Sequence, residues 1–139
     1  MRKRFVKTPK VYMQDSGQAC YLAGISEELK LSQSPLLGML FETWVYSEIR
    51  KILIFKPEVT CGFYRTHLGN EVDFLLSAGD IHWGIECKYA ETINSKQFKG
   101  LKDFQSALNG KGRGLIFYMG DHILSISDSL MSVPLRCLF

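Results

Sequence analysis

The stretch GNEVDFLLSAGDIHWGIECKY, residues 69–89, carries two charged side chains before a central Gly-Asp pair and two after it. Glu71 and Asp73 precede that pair, Glu86 and Lys88 follow it, and each couple has the spacing i, i+2. Neighbouring carboxylates can share a proton or bind a cation, and a lysine beside them adds a positive charge. The chemistry therefore depends on whether the fold brings these four side chains together.

The Gly-Asp pair at residues 79–80 is a turn signal between two alternating, β-rich runs, and it predicts a two-residue β-hairpin loop. Such a loop would place Asp73 opposite Glu86 and Glu71 opposite Lys88 on one face of the hairpin. The other face is predicted to be apolar core and carries Val72, Phe74, Leu76, Trp83, Ile85 and Cys87.

Two carboxylates directly opposite each other on neighbouring strands repel, because their Cβ atoms lie only about 5 Å apart. A raised carboxyl pKa would offset that repulsion, and so would a divalent cation such as Mg²⁺, which prefers oxygen ligands. The other interpretation is a solvent-exposed polar face on which Glu71 and Lys88 form an ion pair. The residues alone leave these alternatives open.

The chain of 139 residues is 46% hydrophobic and 22% charged, which is typical of one globular domain. Periodicity and turn signals predict helices at residues 35–54 and 95–108, and strands at 59–66, 70–78, 81–89, 115–119 and 122–127. The order of helix, three strands, helix and two strands predicts an α/β fold of the α+β type, with a mixed sheet flanked by helices. We expect a basic, partly irregular lead-in over residues 1–33 and the domain itself over residues 34–139.

The distribution of charge and cysteine along the chain limits the kinds of protein that this sequence can encode. The first ten residues hold five basic residues and no acid, so this basic arm is either solvated or in contact with phosphates. The four cysteines form no C-x-x-C pair and the basic start is followed by no apolar signal region, which favours reduced thiols and a cytoplasmic location. No apolar run approaches the roughly 18 residues of a membrane span, and the three histidines lack zinc-ligand spacing.

The ordered blocks GMLFETWVYSEIRK, FYRTHLGNEVDFLL, GIECKYAE and QFKGLKDF, with the lead-in PKVYMQDSGQACYLAG, resemble one family. It is the uncharacterised domain that follows the ATPase module in many prokaryotic AAA+-type ATP-binding proteins. Asp73, twelve further residues and then Glu86-x-Lys88 also look like the D…(D/E)-x-K signature of the PD-(D/E)XK nuclease-like superfamily. The resemblance implies a restriction-endonuclease-like core of helix, three strands, helix and strand. The proline of the signature is absent, since Val72 precedes Asp73.

The resemblance also implies a set of site residues. Mg²⁺ or Mn²⁺ would be held by Asp73 and Glu86, with Glu42 on the first core helix completing the site. The backbone carbonyl of Cys87 would add a metal ligand, and Lys88 would orient or activate the attacking water.

Other polar residues are candidates for supporting roles. Glu42 lies in an apolar stripe of its predicted helix, where a carboxylate needs a partner, and Glu48 is its rival on the same helix. Residues predicted to contact nucleic acid, each of which also fits an ordinary surface or core position, are Tyr64, Arg65, Lys96, Gln97 and Lys99.

The resemblance leads to two hypotheses for function. The first is a metal-dependent nuclease-like domain that acts on DNA phosphodiester bonds and is associated with an AAA+-type ATPase. The alternative is a catalytically inactive partner-binding or regulatory module of such an ATPase. The GKGRG loop lacks the order of a P-loop, so the ATPase would lie outside this chain. Homo-oligomerisation through apolar surface of the lead-in is a third, weaker option.

Overall fold

A computed structural model describes residues 10–66, 69 and 71–138. The helices are α1 (Ser16–Leu22), α2 (Glu28–Ser32), α3 (Leu37–Leu53) and α4 (Lys99–Ala107), with short 3-10 turns at Ser95–Phe98 and Leu135–Leu138. The strands are β1 (Thr60–Arg65), β2 (Glu71–Ala78), β3 (Ile81–Lys88), β4 (Arg113–Tyr118), β5 (Leu124–Ser127) and β6 (Leu130–Pro134). None of the helices in the described part of the chain has the length and apolar character needed to cross a membrane.

The six strands form one mixed sheet in the order β1-β2-β3-β4-β6-β5. The pair β3–β4 is parallel because α4 connects the two strands across the sheet. The pair β4–β6 is also parallel, and the other three pairs are antiparallel. The predicted α+β architecture with a mixed sheet is therefore confirmed.

Helices cover both faces of the sheet, and each face has its own core. Successive side chains of β4 point into different cores, since Ile116 packs on the α4 side and Phe117 on the α3 side. The α3-side core contains Phe41, Val45, Ile49, Phe74, Ile85 and Phe117. The α4-side core contains Val72, Phe98, Leu101, Phe104, Ile116, Tyr118 and Leu130.

The alternation of side chains between the two faces of the sheet is interrupted in β2 at Asp73. Gly62 of β1 pairs with Leu75, but Tyr64 pairs with Val72, so one residue of β1 opposes two of β2. This is a β-bulge, and it turns the side chains that precede it to the opposite face of the sheet. The prediction that Val72 shares a face with Phe74 is therefore wrong, because Val72 packs in the α4-side core and Phe74 in the α3-side core.

The predicted hairpin is confirmed, whereas the last strand was missed. Ala78 pairs with Ile81, and Gly79 adopts a φ of +56° in the loop between them. Strand β6 escaped prediction because Ser132 interrupts its apolar pattern, although this serine is fully buried. Helix α3 begins at Leu37 rather than at residue 35.

The lead-in packs onto the α3 side of the sheet from residue 10 onward. The ring of Tyr12 stacks on Tyr46 with centroids 4.4 Å apart, and it lies 5.5 Å from the ring of Phe74. The helices α1 and α2 continue the lead-in towards α3. The other basic residues of the predicted arm lie outside the described residues and are Arg2, Lys3, Arg4 and Lys7.

Leu101→Ala should lower the free energy of unfolding by about 2–5 kcal/mol, because Leu101 is fully buried between α4 and the sheet and alanine leaves a cavity. Leu29→Ala is the matched control, since Leu29 is 66% exposed, and it should change stability by less than about 0.5 kcal/mol. Urea denaturation followed by circular dichroism measures both variants. Equal losses would contradict this assignment of the core.

Candidate functional site

Three carboxylates from two elements converge on one ammonium group. The Lys10 Nζ atom lies 3.0 Å from Glu42 Oε1, 3.3 Å from Glu71 Oε1 and 3.3 Å from Asp73 Oδ1. Glu42 comes from α3, Glu71 begins β2, and Asp73 lies at the β2 bulge. We refer to Lys10, Glu42, Glu71 and Asp73 as the Lys10 cluster.

Tyr12 supports the Lys10 cluster from the side of the α3 core. Its hydroxyl donates a hydrogen bond to Glu42 Oε1, the same oxygen that binds Lys10. Burial and the nearby Glu42 carboxylate raise the pKa of Tyr12, so it stays a neutral donor. Burial alone would lower the pKa of Lys10, but its hydrogen bond to Glu42 and the surrounding carboxylates raise it. Lys10 is therefore a fixed cation at neutral pH.

Asp73 connects the Lys10 cluster to strand β3. Its Oδ2 atom accepts a hydrogen bond from the backbone N–H of Cys87 at 2.9 Å, while its Oδ1 atom binds Lys10. Burial raises the pKa of Asp73 and so does the Glu42 charge, against the opposing effects of the Cys87 hydrogen bond and the nearby lysines. Asp73 is thus held in place by both oxygens and is costly to ionise.

Glu86 and Lys88 form a second ion pair beside the Lys10 cluster. Glu86 is only 6% exposed, and its Oε2 atom lies 2.9 Å from Lys88 Nζ. Burial raises the pKa of Glu86, which Lys88 opposes and the charges of Asp73 and Glu71 reinforce. These effects show that the two groups of charges act on one another even though their ion pairs are separate.

Gly100 allows α4 to approach this second pair closely. A Cβ atom at Gly100 would lie 2.4 Å from Glu86 Oε1 and 2.6 Å from the backbone oxygen of Glu71. Any side chain at this position would therefore displace the Glu86 carboxylate or the start of β2.

The structure brings the predicted site residues close together. Glu42 points towards Asp73, as predicted, and both bind Lys10. Its rival Glu48 pairs with Lys51 on the surface of the same helix instead. The roles of these carboxylates as metal ligands, and that of the Cys87 carbonyl, stay predictions.

The predicted ion pair between Glu71 and Lys88 is wrong. Glu71 binds Arg65 of β1, with its Oε2 atom 3.0 Å from Arg65 Nε, and it also binds Lys10. Lys88 binds Glu86 instead. The bulge explains the difference, because it shifts Glu71 out of the simple hairpin register with β3.

Other predicted contact residues are spread around the start of α4. Lys96 and Lys99 are exposed there, while the side chain of Gln97 accepts from the backbone of Asn94 in a capping box. Tyr64 packs against the α4-side core rather than pointing into solvent. Their roles in contacting nucleic acid stay predictions.

Lys10 and Tyr12 were missed as site residues by sequence reasoning. Both lie in the lead-in, which was predicted only as a basic, partly irregular segment. Their spacing of i, i+2 is compatible with one face of an extended segment. The other available signal was the surplus of carboxylates, which demanded a cation.

The donor set resembles a hard-cation site in its chemistry. All three partners of Lys10 are carboxylate oxygens, the ligands that Mg²⁺ prefers, and the lysine ammonium stands in for a cation among them. Within the described residues, however, no group of three or more His, Cys, Asp or Glu is arranged to hold a metal ion. The set therefore fits such an ion in donor type but not in its present arrangement, in which Lys10 lies among the three carboxylates.

The sequence of residues 37–138 matches DUF4143, a family described as a domain of unknown function. The chain belongs to this family. Two uncharacterized mycobacterial proteins, Mb2031c of Mycobacterium bovis and Rv2008c of Mycobacterium tuberculosis, are each 31% identical to it over 134 residues. That match covers 95% of this chain but only 29% of each relative, so the DUF4143 chain spans less than a third of these proteins.

A solved structure shares the fold of this DUF4143 chain. It is a half-complex from a tetradecameric assembly of Thermococcus gammatolerans McrB AAA+ hexamers with bound McrC. The TM-score is 0.50 at 12% sequence identity, and the match covers 70% of this chain and 27% of the other. At that identity the likeness shows a shared fold alone.

Gly100→Ala should destabilise the protein by about 1–3 kcal/mol, because the added methyl group meets the Glu86 carboxylate and a backbone oxygen that cannot move cheaply. Gly38→Ala is the matched control, since a Cβ atom on this α3 glycine meets nothing within 4 Å and should instead stabilise the helix by up to about 1 kcal/mol. Chemical denaturation measures both variants. A Gly100→Ala protein as stable as Gly38→Ala would contradict the close approach of α4.

Asp73→Asn should reduce the pH dependence of stability in chelator-treated buffer. The raised pKa of Asp73 means that the folded protein binds an additional proton above the ordinary carboxyl pKa. Stability from this group is therefore fully present below the unfolded pKa and is lost as pH rises through the folded one. The asparagine keeps one oxygen that can accept from the Cys87 N–H but loses the second, which binds Lys10. The Lys10 contact is part of the Asp73 titration and is already included in its raised pKa.

Urea denaturation from pH 3.5 to 7.5 measures this effect as a difference between variant and wild type. The difference in free energy of unfolding should move in favour of Asp73→Asn as pH rises. Asp80→Asn in the exposed hairpin loop is the control and should show no such trend. A trend of opposite sign would mean that the ion pair with Lys10, rather than burial, dominates Asp73.

Proposed function

We propose that this DUF4143 domain is a nuclease-like module of the PD-(D/E)XK kind, with a restriction-endonuclease-like core, that hydrolyses DNA phosphodiester bonds with Mg²⁺ or Mn²⁺. The observation that carries the proposal is the convergence of Glu42 and Asp73 on one cation, beside the ion pair of the buried Glu86 with the half-buried Lys88. Neither the helix nor the sheet needs so many partly buried charges for its own stability, and charges clustered in this way are a common sign of a functional site.

The carboxylates would hold the metal, and Lys88 would donate to the phosphate or to the attacking water. Glu42, Asp73 and Glu86 are the proposed metal-holding residues, with the Cys87 carbonyl as a further ligand. A divalent cation there would lower the pKa of a bound water and polarise the phosphate. Burial alone would lower the pKa of Lys88, but the charge of Glu86 and its hydrogen bond raise it. Lys88 therefore stays protonated, so it would donate to the phosphate or the water rather than act as a base.

Exposed lysines beside the site would contact the DNA backbone. Lys96, Lys99 and Lys102 are exposed at the start of α4, the helix whose Gly100 lies against Glu86. Phosphate contacts of this kind give affinity without sequence preference, and that affinity weakens steeply with salt. The basic arm would add further contacts of the same type.

The domain is proposed to work with an AAA+-type ATPase, on the same chain or on a separate one. The resemblance of its sequence blocks to the domain that follows such ATPase modules supports this partner. The fold neighbour comes from an assembly of AAA+ hexamers with McrC, and the mycobacterial relatives have room for further domains.

The second candidate is a catalytically inactive partner-binding or regulatory module of an ATPase. One observation favours it, namely that Lys10 occupies the centre of the carboxylates. A permanent internal cation of this kind would preserve the fold while excluding a metal. The two candidates therefore differ in whether the domain binds divalent cations at all.

If the domain is a nuclease, nicking of plasmid DNA should require Mg²⁺ or Mn²⁺ and should stop with chelator. Asp73→Asn removes a charged ligand, so it should lose both Mn²⁺ binding and nicking. Lys88→Met leaves the carboxylates in place, so it should keep Mn²⁺ binding and lose nicking by about a hundredfold or more. Lys51→Met, which removes a surface lysine from α3, is the control and should nick like wild type.

Isothermal titration of Mn²⁺ alongside the nicking assay separates these effects. The assay is run with and without an added AAA+-type ATPase. Wild-type protein that binds no Mn²⁺ and never cuts DNA under either condition would favour the inactive module, whereas Mn²⁺ binding without cutting would refute the nuclease activity. Wild-type protein that nicks DNA equally well after chelation would refute the metal-dependent mechanism.

A further inference from the structure

Lys10 is attached to the site differently from every other residue of the Lys10 cluster. Glu42, Glu71 and Asp73 belong to α3 and β2, whereas Lys10 lies in a segment before α1 that is part of no helix or strand. Its neighbour Val11 is 86% exposed. The cation can therefore leave the carboxylates without breaking regular secondary structure, whereas the backbones that carry the carboxylates are held in α3 and β2.

The charges around Lys10 match a divalent cation better than they match a lysine. Four carboxylates meet here (Glu42, Glu71, Asp73 and Glu86), and three cations are paired with them (Lys10, Arg65 and Lys88). One net negative charge remains with Lys10 in place. Two would remain without it, which a single divalent cation would neutralise.

Lys10 and a metal ion cannot occupy the carboxylates together. The ammonium nitrogen already lies within 3.3 Å of one oxygen from each of the three carboxylates. A divalent ion would need the same oxygens at about 2.0–2.2 Å, and two cations so close in a half-buried site repel strongly. Occupation by one therefore requires the other to leave.

We propose that Lys10 and Tyr12 form a removable internal plug that competes with a divalent cation for Glu42, Glu71 and Asp73. Lys10 supplies the charge, and Tyr12 anchors the segment through its hydroxyl bond to Glu42 and its ring stacked on Tyr46. Metal binding expels Lys10, and whatever holds residues 10–12 away from the sheet makes the site ready for metal. The inference rests on the proposed function in one respect, that these carboxylates bind a divalent cation.

The plug lowers metal affinity by the fraction of molecules in which it is open. If it is closed in about 90–99% of molecules, the apparent dissociation constant rises about 10- to 100-fold. Lys10→Met keeps the length of the side chain but removes its charge, so it should bind Mn²⁺ at least about tenfold more tightly than wild type. Lys10→Arg keeps the charge and should stay close to wild type.

Isothermal titration of MnCl₂ into the chelator-treated protein measures these affinities. Lys51→Met is the matched control, because it removes one lysine paired with a glutamate of α3 away from the site, and its affinity should not change. Tyr12→Phe keeps the ring but loses the bond to Glu42, so it should tighten binding less than Lys10→Met. Tyr12→Phe and Lys10→Arg also keep the test valid if Lys10→Met folds poorly.

A second measurement follows the segment itself in the wild-type protein. Trypsin cuts after Lys10 only when that side chain has left the carboxylates. Saturating Mn²⁺ should therefore speed cleavage between Lys10 and Val11, as detected by mass spectrometry of the new N-terminus. Cleavage after the exposed Lys30 serves as the internal reference and should keep its rate.

The outcomes distinguish the plug from the proposed function. If wild type and Lys10→Met bind Mn²⁺ equally well and Mn²⁺ leaves cleavage after Lys10 unchanged, the plug is refuted while the metal site stands. If no variant binds Mn²⁺, both the plug and the metal-dependent function are refuted. Tighter binding by Lys10→Met, with a smaller gain for Tyr12→Phe, none for Lys10→Arg and faster cleavage after Lys10 in wild type, supports both.

Discussion

Carboxylates held close together away from water require a cation among them, and much of this structure follows from that constraint. Ionised acids at such distances repel strongly where solvent does not screen them. Lys10 supplies the cation for three acids at once, while Arg65 and Lys88 balance the remaining charge. Burial, reinforced by the neighbouring carboxylates and opposed by the lysines, raises the pKa values of Asp73 and Glu86.

The fold keeps the acids in place through features that serve little other purpose. The bulge in β2 sets the position of Asp73 between the two faces of the sheet, and the backbone N–H of Cys87 fixes one of its oxygens. Gly100 lets α4 pack directly on Glu86. Acids on a helix and strands, with a cation on an irregular segment, are the combination expected of a site that exchanges one cation for another. In the proposed nuclease that exchange would couple the position of the lead-in to metal binding.

The parts of the fold and site that could be predicted are those set by residues close together in the sequence. The hairpin followed from Gly79-Asp80, and the approach of Glu42 to Asp73 followed from a carboxylate in an apolar helical stripe. The bulge was not predictable in this way, because it exists only in the pairing of β2 with β1. Lys10 binds an acid 63 residues away, and no periodicity connects such positions.

Manganese anomalous diffraction from crystals grown with MnCl₂ tests the central claim most directly, since it locates the cation and the lysine in one experiment. We expect an anomalous peak at metal–ligand distance from carboxylate oxygens of Glu42 and Asp73, with the Lys10 ammonium displaced from both carboxylates. Crystals in which Lys10 still binds Glu42, Glu71 and Asp73, with no anomalous peak near them at saturating manganese, would contradict it.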